Sequence, residues 1–172
     1  MGHDFKRTRV LRRGSKAGFV LYLGWVVAAH AQTPGLSDDG GNGVSWEVRA
    51  EPLAGGRGDR SELVFSARIA PGWILYSSDF RSELGPRPAR FTVDPSSPVA
   101  LIGAVQAIKP LHRDDKTFGA RYTYFEKQGE FRQRVQVKDH PAVVTGQIEG
   151  QACHEADGTC TLIHKQFSIR LE

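Results

Sequence analysis

The sequence predicts an all-β domain, an antiparallel sandwich of the immunoglobulin-like type, preceded by a signal peptide. Apolar residues alternate with polar ones in short runs. Turn residues interrupt those runs at roughly ten-residue spacing, and no stretch carries a 3.6-residue apolar period. With 172 residues, 40% hydrophobic and 24% charged, the chain suits one soluble globular domain.

The N-terminus is a targeting segment. Residues 1–31 hold six basic side chains (Lys6, Arg7, Arg9, Arg12, Arg13, Lys16) against Asp4 alone. An apolar stretch, Ala17–Ala29, follows, and then Ala29-His30-Ala31, with small residues where a signal peptidase reads. This layout predicts a secretory signal over 1–31, cleaved after Ala31. The apolar run is too short to span about 30 Å of hydrocarbon as an anchor. Arg12-Arg13 is a weak twin-arginine feature, and the general secretory route is preferred. The expected destination is the periplasm, with no stable membrane anchor after cleavage.

Locating the charge removes a tempting function class. The formal charge is +4 and the pI about 9.3, but removing residues 1–31 leaves 17 basic and 18 acidic residues. The basic balance belongs to the signal, so no nucleic-acid partner is expected.

Residues 32–43 form a flexible polar leader, rich in Gly and Asp. The domain is expected over 44–172. Val44, Trp46, Val48 and Ala50 alternate with polar neighbours, as do Leu63, Phe65, Ala67 and Ile69. Pro71-Gly72 separates the second run from Trp73–Tyr76. Ala89, Phe91 and Val93 follow, then Leu101-Ile102 and Ala104-Val105. Tyr122, Tyr124 and Phe125 precede an expected turn at Gln128-Gly129. Phe131, Val135 and Val137 come next, and Val143-Val144 and Ile148 lead into Ala152-Cys153. Phe167, Ile169 and Leu171 close the chain. These make about seven to nine strands. Trp46 and Trp73 are expected as core aromatics, and His112 and His140 at the surface. Arg57-Gly58-Asp59 is expected in a hairpin turn, not as an adhesion motif. The nearby glycines lack the strand-then-helix setting of a phosphate loop.

The chemistry concentrates in Gln151-Ala-Cys153-His-Glu-Ala-Asp-Gly158-Thr-Cys160, which holds both cysteines of the chain. Asp157-Gly158 is a strong turn signal between two strand-like segments. A hairpin there places Cys153 and Cys160 on facing positions of antiparallel strands. Such positions have Cα atoms about 4.5–5.5 Å apart, within disulfide range. Export to an oxidising compartment permits the bridge. Three roles remain open. A structural bridge would close a loop of about eight residues and contribute roughly 2.5 kcal/mol. A redox pair would exchange disulfides with another protein. A metal site would draw on Cys153, His154, Cys160 and His164, with thiols competing against their own oxidation. No metal or other cofactor is expected.

Three segments together resemble the N-terminal periplasmic domain of the DsbD thiol:disulfide interchange family, over approximately residues 44–172. Pro71–Ser77 resembles its Gly-aromatic-x-x-Tyr segment. His112–Gly119 resembles its acidic, Phe-bearing cap loop, followed by the aromatic strand Tyr122–Phe125. Gly150–Cys160 resembles its terminal cysteine hairpin. Thr161-Leu162-Ile163 departs from the proline that usually follows the second cysteine, and the inter-cysteine loop is longer than expected. The resemblance implies an immunoglobulin-like fold and an electron shuttle. Cys160 would form the mixed disulfide with partners and Cys153 would resolve it. Phe118 would shield the pair, with Asp114 and Asp115 beside it in the cap loop and Tyr76 and His154 near the site. Implied partners are periplasmic thioredoxin-like or disulfide-isomerase proteins, with a separate membrane electron donor. Nearby acids raise a thiol pKa and a charged His154 lowers it.

Overall fold

The structure is a computed structural model that describes residues 43–53, 59–81, 85–115 and 120–171. The expected secretory signal, the expected leader up to residue 42, Arg57-Gly58 and Phe118 lie outside the described residues. Among the described residues, ten strands run in chain order: β1 Val44–Pro52, β2 Arg60–Ile69, β3 Trp73–Tyr76, β4 Arg90–Val93, β5 Val99–Ala107, β6 Leu111–Asp115, β7 Ala120–Glu126, β8 Gln128–Val137, β9 Ala142–His154 and β10 Cys160–Leu171. Among the described residues, no helix is long and apolar enough to cross a membrane.

The strands form two sheets with antiparallel pairing throughout. One has the order β1-β2-β8-β5. The other has the order β10-β9-β3-β7-β6, with β4 paired to β9. The immunoglobulin-like sandwich read from the alternation is therefore the observed architecture.

The main core lies between the sheets because alternate positions of the strands point to one side of the pleat. In β9, Ala142, Val144, Ile148 and Ala152 are buried while Thr145, Gln147, Glu149 and Gln151 are only half-buried. The first sheet contributes Trp46, Phe65 and Phe131. The second contributes Phe91, Phe125 and Phe167. Their rings interlock across the gap: Phe65–Phe91 at 4.6 Å, Phe91–Phe131 at 4.7 Å and Phe125–Phe131 at 5.1 Å. Trp46 meets Phe91 edge-on at 5.9 Å, a preferred geometry for aromatic pairs.

Several sequence expectations need correction. Leu111–Asp115 is strand β6, so Asp114 and Asp115 end a strand where a loop is expected. Leu111, His112 and Asp114 are exposed, so no apolar alternation marks it. Gln128-Gly129 opens β8. The turn sits one residue earlier, at Lys127, which takes a left-handed φ of 63°. By contrast, β10 begins at Cys160 as the expected hairpin requires, and it pairs continuously from Cys160↔Cys153 to Leu171↔Ala142.

Gly146 marks where β4 closes over β9, opposite Val93. A Cβ there would run into the Thr92 carbonyl oxygen and the Phe167 ring, 2.6 Å from Cζ. Backbone cannot yield cheaply at such a contact, and overpacking of this kind typically costs about 1–3 kcal/mol. Gly146→Ala is expected to lower the urea midpoint by a corresponding amount. An unchanged midpoint would show that β4 is not seated as described.

Candidate functional site

The cysteine hairpin is built by local hydrogen bonds. Gly158 takes φ 72°, the left-handed conformation that its missing Cβ makes cheap. The His154 amide donates to the Thr159 carbonyl at 2.7 Å, and the Gly158 amide to the His154 carbonyl at 2.9 Å. The Thr159 amide donates to Asp157 Oδ1 at 2.9 Å. That amide and the Thr159 hydroxyl are the main cause holding the Asp157 carboxyl below the usual carboxylate range. One step further out, Cys153 and Cys160 face each other in register. They are joined in a disulfide, with S–S 2.04 Å and Cα atoms 4.0 Å apart.

The two sulfurs have unlike surroundings. Cys153 is buried at 7% exposure, whereas Cys160 is exposed. Strand order explains the difference. β10 is the outermost strand of its sheet, while β9 lies between β10 and β3. Cys153 pairs with Ile74 on β3. It joins a second apolar cluster, separate from the main core, with Ile74, Tyr76, Tyr122, Tyr124 and Phe80. Tyr76 meets Tyr122 edge-on at 5.3 Å, and Phe80 lies 6.3 Å from both of those rings. Gln151 Nε2 reaches Cys153 Sγ at 3.5 Å. Cys160 Sγ lies 3.5 Å from the Gly158 carbonyl oxygen. The bridged sulfur carries no proton, so this is a contact; in the reduced protein the thiol has an acceptor at hand.

Arg113 on β6 ties this cluster to the inter-cysteine turn. Its guanidinium sits over the Tyr124 ring at 4.4 Å, donates to Tyr124 Oη at 3.1 Å and pairs with Glu155 at 2.8 Å. Burial pulls the Arg113 pKa down, but hydrogen bonds to Glu155, Tyr124 and Tyr122 outweigh it and raise the value. On the other side, the Glu155 amide donates to the Gly72 carbonyl at 2.8 Å. The turn is thereby anchored to two neighbouring segments at one residue.

The remaining expected site residues distribute unevenly. Tyr76 belongs to the cluster around Cys153. His154 packs its ring edge-on against Trp73 at 5.5 Å. Its Nδ1 lies 3.2 Å from Asp157 Oδ1, an electrostatic contact without hydrogen-bond alignment. Asp114, at the end of β6, pairs with Arg121 at 2.7 Å, and that hydrogen bond is the first cause lowering its carboxyl pKa. Asp115 is the last residue of the strand. Phe118 falls in the segment outside the described residues.

The metal alternative is not assembled. Both sulfurs are in the bridge, His154 faces Trp73, and His164 sits opposite Glu149, 3.7 Å from its carboxylate. Among the described residues, no three metal-ligating side chains lie together. Sequence reasoning assigned no role to Arg113 or Phe80, and read Tyr122 and Tyr124 only as a strand. The alternation of Tyr122 and Tyr124 puts those two on one face of β7, but only the observed pairing of Arg113 with Tyr122 brings Arg113 to that face.

Comparison with known proteins assigns the arrangement. No curated protein matches the chain in sequence. The N-terminal periplasmic domain of ScsB from Proteus mirabilis shares the fold, with TM-score 0.53 and 15% identity over 79% of this chain. The chain spans 50% of that structure's length. The N-terminal domain of Neisseria meningitidis DsbD in the reduced form aligns with TM-score 0.47 and 20% identity, over 72% of this chain and 83% of that one. The family described as thiol:disulfide interchange protein DsbD, N-terminal, matches residues 47–171, nearly the whole of the sandwich. The chain therefore belongs to the DsbD N-terminal family of thiol:disulfide interchange proteins.

Proposed function

We propose that the protein is a periplasmic thiol:disulfide interchange domain that carries electrons on the Cys153–Cys160 pair. One observation carries this reading: a cross-strand disulfide with one sulfur exposed and the other buried. Exchange requires a thiolate to reach a sulfur along the S–S axis, and then a second thiol close enough to resolve the product. Exposure favours Cys160 as the contact sulfur and burial favours Cys153 as the resolving one.

In the reduced domain, the Cys160 thiolate attacks a partner disulfide. A Cys160–partner bond forms and the partner's other sulfur leaves as a thiolate. Cys153, as its thiolate, then attacks Cys160 Sγ, which closes the 153–160 bridge and releases the partner's second sulfur. Two electrons and two protons pass to the partner. A separate dithiol protein, served by a membrane electron donor, restores the reduced domain by the reverse steps. Thioredoxin-like or disulfide-isomerase proteins are the proposed partners, and the signal over 1–31 delivers the chain to them. The segment carrying Phe118 is proposed to shield the pair, with Asp114 and Asp115 at its entry and Tyr76 and His154 flanking the hairpin.

Trapping tests the assignment of roles. Cys153→Ser is expected to accumulate a mixed disulfide with an oxidised thioredoxin-like partner, and Cys160→Ser to form none. Equal, negligible trapping by both variants would remove the exchange function.

The reduction potential separates this reading from a purely structural bridge. Structural disulfides of secreted proteins lie below about −300 mV. Equilibration of the Cys153–Cys160 couple with glutathione is expected to give a value above that limit. A lower value, with marked loss of stability on reduction, would assign the bridge to stability alone.

A further inference from the structure

When the Cys153–Cys160 bridge opens, only the protein scaffold keeps the sulfurs together. The hairpin amides hold the two strands, but the turn between the cysteines must also keep its shape. Three observations converge on how it does so. Glu155 is the residue at which the turn meets its neighbours, by its amide to Gly72 and by its carboxylate to Arg113. Arg113 is itself fixed, over the Tyr124 ring and on the Tyr124 hydroxyl. Tyr124 in turn belongs to the cluster that buries Cys153. These contacts close a ring from Cys153 through the tyrosines, Arg113 and Glu155 back along the chain to Cys153.

We propose that Arg113 is a positioning residue for the redox couple, whose ion pair with Glu155 holds the inter-cysteine turn so that the two sulfurs stay adjacent after reduction. The inference rests on the redox role proposed above for this cysteine pair, but it concerns the couple itself and not the identity of any partner. Its physical content is effective concentration. A turn free to spread lowers the concentration at which one thiol meets the other, whereas a pinned turn raises it. The ion pair is partly exposed, at 37% for Arg113 and 39% for Glu155. Exposed and half-exposed pairs contribute modestly and are screened by salt, so an effect of roughly two- to five-fold is expected.

The test equilibrates the protein with reduced and oxidised glutathione. In the forward direction, the dithiol gives two electrons and two protons to glutathione disulfide, which closes the 153–160 bridge and releases two glutathione thiols. The constant of this reaction is the effective concentration of the pair. Glu155→Gln and Arg113→Gln are each expected to lower it about two- to five-fold. Both should also increase the fraction held as a glutathione mixed disulfide, read by mass spectrometry. In 1 M salt the wild-type value should move towards the variants. The charge exchange Arg113→Glu with Glu155→Arg should recover part of the loss. Arg49→Gln, which breaks the 3.0 Å pair with Glu51 on the other sheet, should leave the constant unchanged.

Wild-type values in both single variants would overturn the proposal. A fall in Arg113→Gln alone would also overturn it, by tracing the effect to the Tyr124 contact and not to the ion pair. Glu155→Gln keeps Arg113 on Tyr124, so the test stands even if Arg113→Gln folds poorly. A normal glutathione equilibrium combined with no transfer to any thioredoxin-like protein would defeat the proposed function and leave the role of Arg113 intact.

Discussion

The register of one hairpin governs the chemistry of this protein. β9 and β10 pair without a slip over their common length, and that pairing sets Cys153 opposite Cys160. A displacement by one residue would turn one sulfur to the opposite face of the sheet, because side chains alternate along a strand. The register is held at both ends. The Asp157-Gly158 turn fixes it at the tip, while Ile163, Phe167 and Leu171 fix it by burial in the core. The core thus supplies the precision on which the sulfurs depend, though neither sulfur is part of it.

From that register follows the unequal status of the two cysteines. The last strand of a sheet has a neighbour on one side only, so Cys160 is open to an incoming protein. Cys153, one strand inward, is covered by aromatic rings of β3 and β7. A pair that was otherwise symmetric in sequence acquires a direction from sheet order alone. The family assignment, over residues 47–171, takes in both cysteines but does not itself tell them apart.

Much of this is legible in the amino-acid sequence itself. Alternation locates the buried strands, because a half-buried strand must show one face to the core and one to water. The Asp-Gly turn locates the cysteine hairpin, because few residues accept a left-handed backbone. β6 escapes notice for the same physical reason: it borders its sheet with Leu111, His112 and Asp114 exposed, so no burial pattern is imposed on it. The aromatic cluster around Cys153 is illegible too. It draws on β3, β7 and β9, and nothing in the order of residues states which strands become neighbours. His154 shows the converse limit. Adjacency to Cys153 in sequence suggests adjacency in chemistry, yet the pleat sends its ring to Trp73.

The division of the apolar residues into two clusters has a bearing on turnover. The larger one, centred on Phe65, Phe131 and Ile148, contains no sulfur. The smaller one contains Cys153 and lies apart from it. In the exchange proposed above, the buried sulfur would change its bonding within the lesser of the two hydrophobic interiors. The sandwich can act as a permanent chassis, since the interior that joins its two sheets has no sulfur in it.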